Sequence, residues 1–525
     1  MVDPPSWLTP LPDAETMRGI DRWAIEERGV DSLALMERAG AAVTAAVERI
    51  SPDGAVAVVC GKGNNGGDGL VVARLLRDAG RDVAVVCTAP PEELEGDAAA
   101  NLERLPGDGP VRLDGNAWAD GGEGLDGSPL DGCAVLVDAL LGTGFQGAPR
   151  GVVADAIAAF ERVGSAAPII SVDVPSGVDA STGVVAGRAV YATATVTFHA
   201  AKPGLWIRPG KEHAGEVEVA DIGIPRGAPE VTAAGLIDAG VLALLPRRTG
   251  DTNKFRSGHV LVAGGSLGLT GAPMMSCRAA MRAGAGYVTA FVPAGLQVVL
   301  ASSGVPELMT RGLPEVAGAL VDSGAEQVLD ATERGGALAI GPGMGREDSS
   351  FRFARRLARA ARVPTVIDAD GLNAHAGKLQ ELTHRPAPTI LTPHAGELAR
   401  LLEVESAEIE AERLAHAREA ATRSGAIVVL KGDDTLVARP DGHVAVSRGA
   451  SPALATAGTG DVLTGAIAAL LAQRLDPFLA ACAGVLLHVR AGRLAAQDVG
   501  VAEAVIASDV IEALPRARSR DGADG

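Results

Sequence analysis

The chain has 525 residues, of which 47% are hydrophobic and 3% aromatic, and its formal net charge is −18 at pH 7. This length exceeds one ordinary hydrophobic core, so we expect two domains with cores of Ala, Val and Leu. The negative charge argues against binding to nucleic acid or to an anionic membrane surface. An anionic substrate would have to be held by local backbone N–H groups.

Five cysteines are scattered along the chain without a CxxC pair, which indicates a reducing compartment rather than a disulfide framework or a zinc site. The N-terminus has no basic region followed by an apolar core, so we expect no signal peptide. No apolar run reaches the roughly 18 residues that a membrane span needs. These features predict a cytoplasmic protein with no membrane partner.

Short β-branched runs alternate with longer Ala/Leu segments, which is typical of mostly parallel sheets covered by helices. In the first half, two helices (13–28 and 32–50) should precede strands at 55–60, 82–87, 134–137, 169–174 and 216–225. We expect a junction at 227–249, with a short helix at 236–245. A second α/β series should have strands at 259–263, 287–292, 337–340, 365–367, 389–391 and 427–430, and residues 515–525 should form a polar tail.

A glycine-rich loop, GKGNNGGDG at 61–69, lies between a predicted strand and a predicted helix. Gly61, Gly63 and Gly66 satisfy GxGxxG, a pattern that lets the backbone approach a pyrophosphate. A nicotinamide dehydrogenase would also need an acid at the end of the second strand, but that strand ends in Cys87-Thr88. A dehydrogenase is therefore the least favoured function, and no Ser or Thr follows Lys62 at the Walker spacing.

Two more polar turns follow predicted strands in this half. Asp138 opens DALLGTGFQGAPRG, and Asp173 opens DVPSGVDASTG, which contains Ser176. Polar strand ends at one edge of a parallel sheet predict a single site there. The oxygens of Asn65, Asp138 and Ser176 could together hold a monovalent or divalent cation, although each alone could equally be a turn or cap residue.

The segments GKGNNGGDGLVVARLL, VDALLGTGFQGAPRG and SVDVPSGVDASTG, with KPGL at 202–205, resemble NAD(P)H-hydrate epimerases over about residues 10–226. The resemblance implies a Rossmann-like parallel-sheet domain at 1–226, a potassium ion held by Asn65, Asp138 and Ser176, and proton transfer by Asp173. It implies that the hydrated nucleotide contacts Asn64, Asn65, Gly66, Gly67, Asp68, Gly142, Thr143, Gly144, Phe145, Gln146, Gly147, Ala148 and Asp173.

In the second half, AGTGDVLTG at 457–465 precedes an apolar helical stretch. Gly458 and Gly460 remove side chains from the turn, so the helix N-terminus can offer free N–H groups to a phosphate. Asp461 would repel that phosphate unless it serves as the general base for a hydroxyl that attacks phosphorus. The alternative is that Asp461 merely caps its own helix.

GHVLVAGGSLGLTGAP, AIGPGMG, VIDADGLN, LTPHAGELARLL, VVLKGDDTLV and AGTGDVLTG resemble, in order, the ADP/ATP-dependent NAD(P)H-hydrate dehydratase branch of the ribokinase-like superfamily. The resemblance implies a ribokinase-like α/β domain at 250–514, with Asp461 as the base. It implies contacts of Ala272, Gly343, His394 and Asp461 with the hydrate, and of Lys431, Gly432, Asp433, Asp434, Thr435 and Gly460 with the nucleotide. Magnesium is expected on the phosphates, with Glu397 as a candidate ligand, and His394 is alternatively a helix-cap residue.

Together the two resemblances imply a bifunctional enzyme of nicotinamide nucleotide repair. The first domain would epimerise the R and S forms of NADHX and NADPHX. The second would dehydrate the S form to NADH or NADPH at the expense of ADP, releasing AMP and phosphate. The expected partners are small-molecule nucleotides and further copies of the chain. A small-molecule kinase of the same superfamily remains an alternative, as does a non-catalytic nucleotide-binding first domain.

Overall fold

The computed structural model describes residues 5–113, 128–164, 166–229, 231–250 and 253–519. The chain folds as two compact units. Unit 1 contains Pro10–Gly235, and unit 2 contains Pro5–Thr9 together with the residues from Leu236 onwards. Each unit has a mainly parallel sheet covered by helices, so the predicted α/β class is confirmed.

Unit 1 is built on seven parallel strands in the order β4-β3-β2-β5-β6-β7-β8. The strands are β2 (Val56–Cys60), β3 (Val83–Cys87), β4 (Val111–Arg112), β5 (Val135–Ala139), β6 (Ile169–Val172), β7 (Ala194–Phe198) and β8 (Glu216–Ala220). The helices are α1 (Ala14–Arg22), α2 (Ser32–Ile50), α3 (Asn64–Asp78), α4 (Gly96–Glu103), α5 (Val152–Val163) and α6 (Gly210–Ala214). Every residue of β2 and β5 is buried, as expected for central strands covered on both faces.

The strand order of unit 1 places its polar turns together. The chain moves from β2 to β4 in one direction and from β5 to β8 in the other, so the order reverses between β2 and β5. Ligands of open α/β sheets bind at the carboxyl ends of the strands beside such a switch point. A side chain at Gly66 would collide with the carbonyl oxygen of Gly61, so α3 packs closely against the end of β2 at this edge.

Unit 2 has an eleven-stranded sheet in the order β1-β9-β20-β19-β18-β17-β16-β15-β10-β11-β12 and a separate hairpin, β13–β14. The strands are β1 (Leu8–Pro10), β9 (Ala234–Ile237), β10 (His259–Ala263), β11 (Tyr287–Pro293), β12 (Met309–Leu313), β13 (Glu315–Val316), β14 (Ala319–Leu320), β15 (Ala337–Ile340), β16 (Thr365–Ile367), β17 (Thr389–Leu391), β18 (Ile427–Leu430), β19 (Leu436–Ala438) and β20 (Val444–Val446). Neighbours from β18 to β12 are parallel, whereas β18–β19 and β19–β20 are antiparallel.

The helices of unit 2 pack around this sheet. They are α7 (Gly271–Arg282), α8 (Ala294–Ala301), α9 (Ala325–Thr332), α10 (Asp348–Ala360), α11 (Asp370–Asn373), α12 (Ala395–Leu402), α13 (Ser406–Ala411), α14 (Arg413–Ser424), α15 (Thr459–Ala472), α16 (Pro477–Val499) and α17 (Ala507–Ala517). Helix α15 is almost entirely buried, which explains why its sequence is apolar on all sides.

Helix α16 contradicts the expectation that no apolar run is long enough to span a membrane. By length and composition alone it could do so, since its most apolar 18 residues have a mean hydropathy of 1.4. However, 72% of that window is buried within the protein. A Cβ at Gly484 would lie 2.5 Å from Cγ1 of Ile467, so the small residues of α16 allow it to pack closely against α15. Its apolar character therefore reflects its place in the core of unit 2.

Two predicted boundary segments are structured differently. The expected junction at 227–249 contains strand β9 and a 3₁₀ helix at Ala239–Leu244, so the short helix predicted at 236–245 is correct only in its second part. Of the predicted tail at 515–525, residues up to Ala517 belong to α17, where Ala517 is buried in the core. Residues 520–525 lie outside the described residues.

The N-terminal segment Pro5–Thr9 joins unit 2 rather than unit 1. The Trp7 side chain is only 7% exposed and belongs to the core of unit 2, where its ring lies 5.9 Å from that of Phe478. The carbonyl oxygen of Trp7 accepts a hydrogen bond from the Asp238 N–H at 2.9 Å. Residues 1–226 are therefore not one structural unit, because an N-terminal aromatic residue completes a core formed far along the chain.

We predict that Trp7→Ala destabilises unit 2 by about 3–5 kcal/mol, because it empties a large buried site. Hydrogen exchange resolved by peptide should show faster exchange in β9 and α16, with unit 1 peptides unchanged. Phe255→Ala, at an aromatic residue of the same unit whose exposure is 70%, should have little effect. Equal protection of β9 and α16 in Trp7→Ala and the wild type would contradict the assignment.

Candidate active sites

A cavity of about 880 Å³ opens at the carboxyl ends of the strands in unit 1. Eight of the residues predicted to contact a nucleotide line it: Asn64, Asn65, Asp68, Gly142, Thr143, Gly144, Phe145 and Asp173. Five others do not: Gly66, Gly67, Gln146, Gly147 and Ala148. Gly66 and Gly67 instead provide close packing, because side chains there would meet Gly61 and Met36.

The central feature of this cavity is a buried ion pair between Asp173 and Lys202. The Lys202 side chain is 1% exposed, and its Nζ lies 2.7 Å from Asp173 Oδ1 and 2.7 Å from Thr197 Oγ1. The Thr143 backbone N–H donates to Asp173 Oδ2 at 2.9 Å, and the Thr143 hydroxyl also donates to it. Burial acts to raise the pKa of Asp173, but Lys202 and Thr143 outweigh it, so the pKa is lowered and the carboxylate is ionised.

Asp173 is also held in an unusual backbone conformation, with φ of +67°. A non-glycine residue in this region costs free energy and is found where the surrounding contacts over-determine it, often at functional sites. Here the bonds from Lys202 and Thr143 fix the carboxylate just past the end of β6. The turn thus aims an ionised acid into the cavity.

Two further carboxyl groups face the same cavity. The pKa of Asp68 is raised well above its ordinary value, by burial first and then by the charges of Asp173 and Asp21. The pKa of Asp21 is also raised, mainly by burial, although Lys202 opposes the shift. One site therefore contains an acid whose pKa is lowered, Asp173, and an acid whose pKa is raised, Asp68. Such a pair is typical of sites that carry out acid–base chemistry.

The three residues predicted to hold potassium lie around the Leu140–Gly142 segment. Asp138 accepts hydrogen bonds from the Ser176 hydroxyl at 2.6 Å and the Ser176 N–H at 2.9 Å. The Ser176 hydroxyl oxygen also accepts from the Leu141 N–H at 2.9 Å, and a Cβ at Gly142 would lie 3.1 Å from Asn65 Oδ1. Asn65 Nδ2 is buried and has no hydrogen-bond partner among the described residues. The oxygens of Asn65, Asp138 and Ser176 are ligands of the kind that a hard cation prefers, whereas Asn65 Nδ2 is a hydrogen-bond donor that would not bind one.

In unit 2, helix α15 begins at an uncapped turn. Its N-cap is Gly458, with φ of +90°, and among the described residues no side chain caps the helix. A Cβ at Gly458 would lie 2.5 Å from Met275 Sδ, so only glycine fits. The alternative that Asp461 caps its own helix is therefore wrong, and the first N–H groups of α15 are available to an anion.

Asp461 is half-buried on the first turn of α15, and its pKa is raised to about 7. Burial is the largest cause, followed by the negative charge of Asp368, while the positive charge of Lys431 opposes the shift. A carboxylate with this pKa can take up or release a proton near neutral pH, as general-base chemistry requires.

Lys431 connects this acid with two others. Its Nζ lies 3.2 Å from Asp368 Oδ1 and 3.6 Å from Glu397 Oε2, and a Cβ at Gly460 would lie 3.5 Å from it. The Thr464 hydroxyl donates to the other oxygen of Asp368 at 2.7 Å. Burial lowers the pKa of Lys431, but Asp368 and Glu397 outweigh burial and raise it, so the ammonium group is charged beside the start of α15.

A second cavity, of about 490 Å³, adjoins the start of α15. It is lined by five of the predicted nucleotide contacts: Lys431, Gly432, Asp433, Thr435 and Gly460. The sixth, Asp434, does not line it. Its carboxylate is fully buried and accepts from Arg413 Nε at 2.9 Å, while Arg413 also donates to the Lys431 carbonyl at 3.1 Å. The Asp434 side chain thus supports the loop from behind.

Of the four residues predicted to contact the hydrate, Asp461 lies on the first turn of α15, and the other three are Ala272, Gly343 and His394. A Cβ at Gly343 would be 3.0 Å from the Cβ of Ala272, so these two are neighbours. His394 caps α12, since its Nδ1 accepts from the Gly396 N–H at 3.0 Å, and its Nε2 lies 3.6 Å from Glu397 Oε1. The helix-cap interpretation of His394 is therefore correct, while its side chain, 55% exposed, keeps an accessible edge.

Comparison with known proteins places both units in one family. A family model for NAD(P)H-hydrate dehydratase matches residues 260–516, and one for the YjeF-related protein N-terminus matches residues 32–204. The chain is 42% identical to the bifunctional NAD(P)H-hydrate repair enzyme Nnr of Moorella thermoacetica, over 96% of each chain. It is 34% identical to the Escherichia coli enzyme of the same name, over 96% of this chain and 93% of that one.

The chain belongs to the family of bifunctional NAD(P)H-hydrate repair enzymes. This confirms the predicted family and favours a repair enzyme over an ordinary small-molecule kinase. Among solved structures, the chain is similar to the ADP/ATP-dependent NAD(P)H-hydrate dehydratase from Bacillus subtilis. The two are 30% identical, with a TM-score of 0.46, over 53% of this chain and 94% of that one.

Four side chains of this repair enzyme's sites were not selected from the sequence: Asp21, Lys202, Asp368 and Arg413. Lys202 and Asp368 lie in the segments KPGL and VIDADGLN, so a signal was present, but neither segment says which acid or base its charge will meet. Asp21 and Arg413 lie on helices whose sequences resemble other half-buried helices. Only the fold reveals their contacts.

We predict that Lys202→Met lowers the free energy of unfolding by about 3–5 kcal/mol at neutral pH, because it leaves a buried carboxylate unpaired. In the wild type the pKa of Asp173 is lowered, so its stabilising effect is present above the unfolded-state pKa of about 4 and is lost as pH falls through the folded-state pKa. Without Lys202, burial raises that pKa, and Asp173 becomes destabilising as pH rises.

The deficit of Lys202→Met should therefore shrink as the pH is lowered from neutrality towards about 4. Denaturant titrations across this range measure it, with Lys62→Met at an exposed lysine of the same unit as the control. A deficit independent of pH would mean that Lys202 contributes packing rather than charge compensation.

Proposed function

We propose that unit 1 epimerises the R and S forms of NADHX and NADPHX, and that unit 2 dehydrates the S form to NADH or NADPH with ADP. The observation that carries the dehydratase proposal is Asp461, whose pKa is raised to about 7, at an uncapped helix N-terminus beside Lys431. An acid poised near neutrality beside an anion site suits proton removal from a hydroxyl that attacks phosphorus.

In the dehydratase reaction, Asp461 takes the proton of the 6-hydroxyl group while that oxygen attacks the terminal phosphorus of ADP. The bond from phosphorus to the bridging oxygen breaks, and AMP leaves. The carbon–oxygen bond at C6 then breaks, with phosphate as the leaving group and the lone pair of the ring nitrogen supplying the electrons. Loss of a proton from C5 restores the dihydronicotinamide.

The chain's own groups would stabilise the phosphates in two ways. The N–H groups at the start of α15, including that of Gly460, bring the positive end of the helix dipole to the anion. The Lys431 ammonium group lies beside them. Magnesium, when bound, would neutralise phosphate charge. Glu397 is a suitable ligand, because its Oε2 lies 3.6 Å from Lys431 Nζ, on the phosphate side of the site, and Mg²⁺ commonly takes one or two carboxylates plus phosphates.

For the epimerase, we assign proton transfer to Asp173. Lys202 keeps its carboxylate ionised, so it can accept a proton from the hydrate, and its place in the 880 Å³ cavity suits a nucleotide ligand. The raised pKa of Asp68 makes this residue a suitable proton donor in the same cavity. Potassium, when bound, would supply a fixed positive charge, and Asn65, Asp138 and Ser176 would hold it.

The proposal includes the domain assignment. The epimerase activity is assigned to residues 1–226 apart from the segment Pro5–Thr9, and the dehydratase activity to residues 250–514. A cytoplasmic location and a homo-oligomeric state also belong to the proposal. Scattered free cysteines support the first, and light scattering of the purified protein tests the second.

We predict that Asp461→Asn lowers the dehydration rate by about 10²–10⁴-fold while epimerisation continues, because the amide cannot accept the proton. Asp173→Asn should do the reverse. The assay supplies an R/S mixture of the hydrate with ADP and magnesium, and follows the absorbance of the reduced nicotinamide; wild-type recovery should exceed the S fraction. If Asp461→Asn dehydrates at the wild-type rate, the general-base assignment is wrong, and recovery of the S fraction alone by the wild type would refute the epimerase.

We also predict that kcat/KM for dehydration rises with pH and levels off above about 7, since Asp461 acts in its ionised form and its pKa is about 7. Lys431→Met should move the rising part of this pH profile to higher pH, because it removes the positive charge that opposes the rise in the pKa of Asp461. Initial rates of the wild type and Lys431→Met at saturating nucleotide measure the two profiles. An unchanged midpoint would contradict the electrostatic coupling.

A further inference from the structure

The 490 Å³ cavity of unit 2 contains a buried histidine that neither the predicted contacts nor the mechanism uses. His488 lies on α16 and lines the cavity. His488 is only 9% exposed, and its Nε2 atom is fully buried without a hydrogen-bond partner among the described residues. Buried polar atoms are nearly always satisfied in native proteins, so this nitrogen lacks a partner that a ligand would supply.

The state of the ring defines what kind of partner is missing. Burial lowers the pKa of His488 to about 4, although a hydrogen bond from the ring to the Thr459 carbonyl partly opposes the shift. The ring is therefore neutral at physiological pH. A neutral imidazole carries one proton, so Nε2 presents a lone pair in the tautomer whose proton is on Nδ1. In that tautomer Nε2 can accept a hydrogen bond but cannot donate one.

The walls of the cavity indicate how a nucleotide would lie in it. Lys431 and Gly460 form a polar wall suited to phosphate. Asp433, Thr435, Ser451 and Thr459 add further polar groups, and the apolar part of the lining includes Pro452, Leu454, Ala455, Leu463, Val485 and Val489. Such a surface suits the faces of a purine and the carbon skeleton of a ribose, and a few polar atoms within it fix orientation and specificity. His488 lies between Val485 and Val489 on α16.

We propose that Nε2 of His488 accepts a hydrogen bond from the nucleoside part of the nucleotide, from either the purine amino group or a ribose hydroxyl. The inference rests on the proposed use of ADP in this cavity. It makes His488 a specificity-determining residue, because a ligand that presents an acceptor at the same place would leave two lone pairs facing each other.

The test combines two variants with four ligands. His488→Leu removes the acceptor, whereas His488→Gln keeps an oxygen acceptor at similar reach. Calorimetry without the hydrate gives dissociation constants for ADP, inosine diphosphate, 2′-deoxy-ADP and 3′-deoxy-ADP. Inosine diphosphate replaces the purine amino group by an acceptor, and each deoxy analogue lacks one hydroxyl. His384→Leu, at an exposed histidine of the same unit, is the matched control.

We expect His488→Leu to weaken ADP binding about 2- to 12-fold, as for the loss of one hydrogen bond, with His488→Gln and His384→Leu near the wild type. If a ribose hydroxyl is the donor, the wild type and His488→Leu should bind the deoxy analogue that lacks it equally. If the purine amino group is the donor, His488→Leu should bind inosine diphosphate at least as tightly as the wild type, because the repulsion between the two lone pairs is removed. The ligand that shows no loss identifies the donor. An equal loss for all four ligands, or no loss, overturns the proposal. Failure of the wild type to bind ADP would overturn the proposed function as well.

A measurement on the wild type covers the case in which His488→Leu does not fold. Nitrogen-15 spectra of histidine-labelled protein, assigned with His488→Gln, report the lone pair of Nε2 directly. ADP should shift this resonance in the direction of an accepted hydrogen bond, while the 2′-deoxy, 3′-deoxy or inosine analogue that lacks the donor should not. A resonance unchanged by saturating ADP contradicts the assignment.

Discussion

Lys431 of unit 2 lies within ion-pair distance of Asp368 and Glu397, and its charge also acts on Asp461. The protein is acidic overall, so nothing in its general field attracts an anionic nucleotide. Without a nearby positive charge, three carboxylates in one site would repel one another and the phosphates of the ligand. One ammonium group at the start of α15 allows the acids to coexist there, and it leaves a local positive end for phosphate. The rest of the dehydratase geometry depends on this arrangement.

Unit 1 solves the same problem with a different result. Lys202 forms an ion pair with Asp173, in which Nζ lies 2.7 Å from Oδ1 and the lysine side chain is almost fully buried. The pKa of Asp173 is therefore lowered, and the acid is ionised. Lys431 is shared between Asp368 and Glu397, and its effect on Asp461 does not overcome burial. Asp461 therefore titrates near neutrality. The division of one positive charge thus decides whether an acid serves as a permanent anion or as a base that cycles its proton.

The strands and the two-unit class could be predicted because valine-rich runs such as Val56–Cys60 are specified locally. The strand-end residues Asn65 and Asp173 could be placed in one site because parallel strands end at one edge. Contacts between segments that are distant in sequence could not be predicted. Trp7 completes a core formed with Phe478, and Arg413 turns Asp434 away from the cavity that its neighbours line. The sequence shows these residue types, but only the packed chain determines their partners.

The start of α15 resolves the apparent conflict between an acid and a phosphate site. Because Gly458 is the cap and has no side chain, the helix N-terminus keeps its free N–H groups for a ligand. Asp461 stands on the same turn, yet burial holds its pKa at about 7, so near neutrality it is protonated in roughly half of the molecules. The repulsion it exerts on an incoming phosphate is correspondingly reduced. The burial that weakens Asp461 as an acid thus lets base and phosphate share one helix turn.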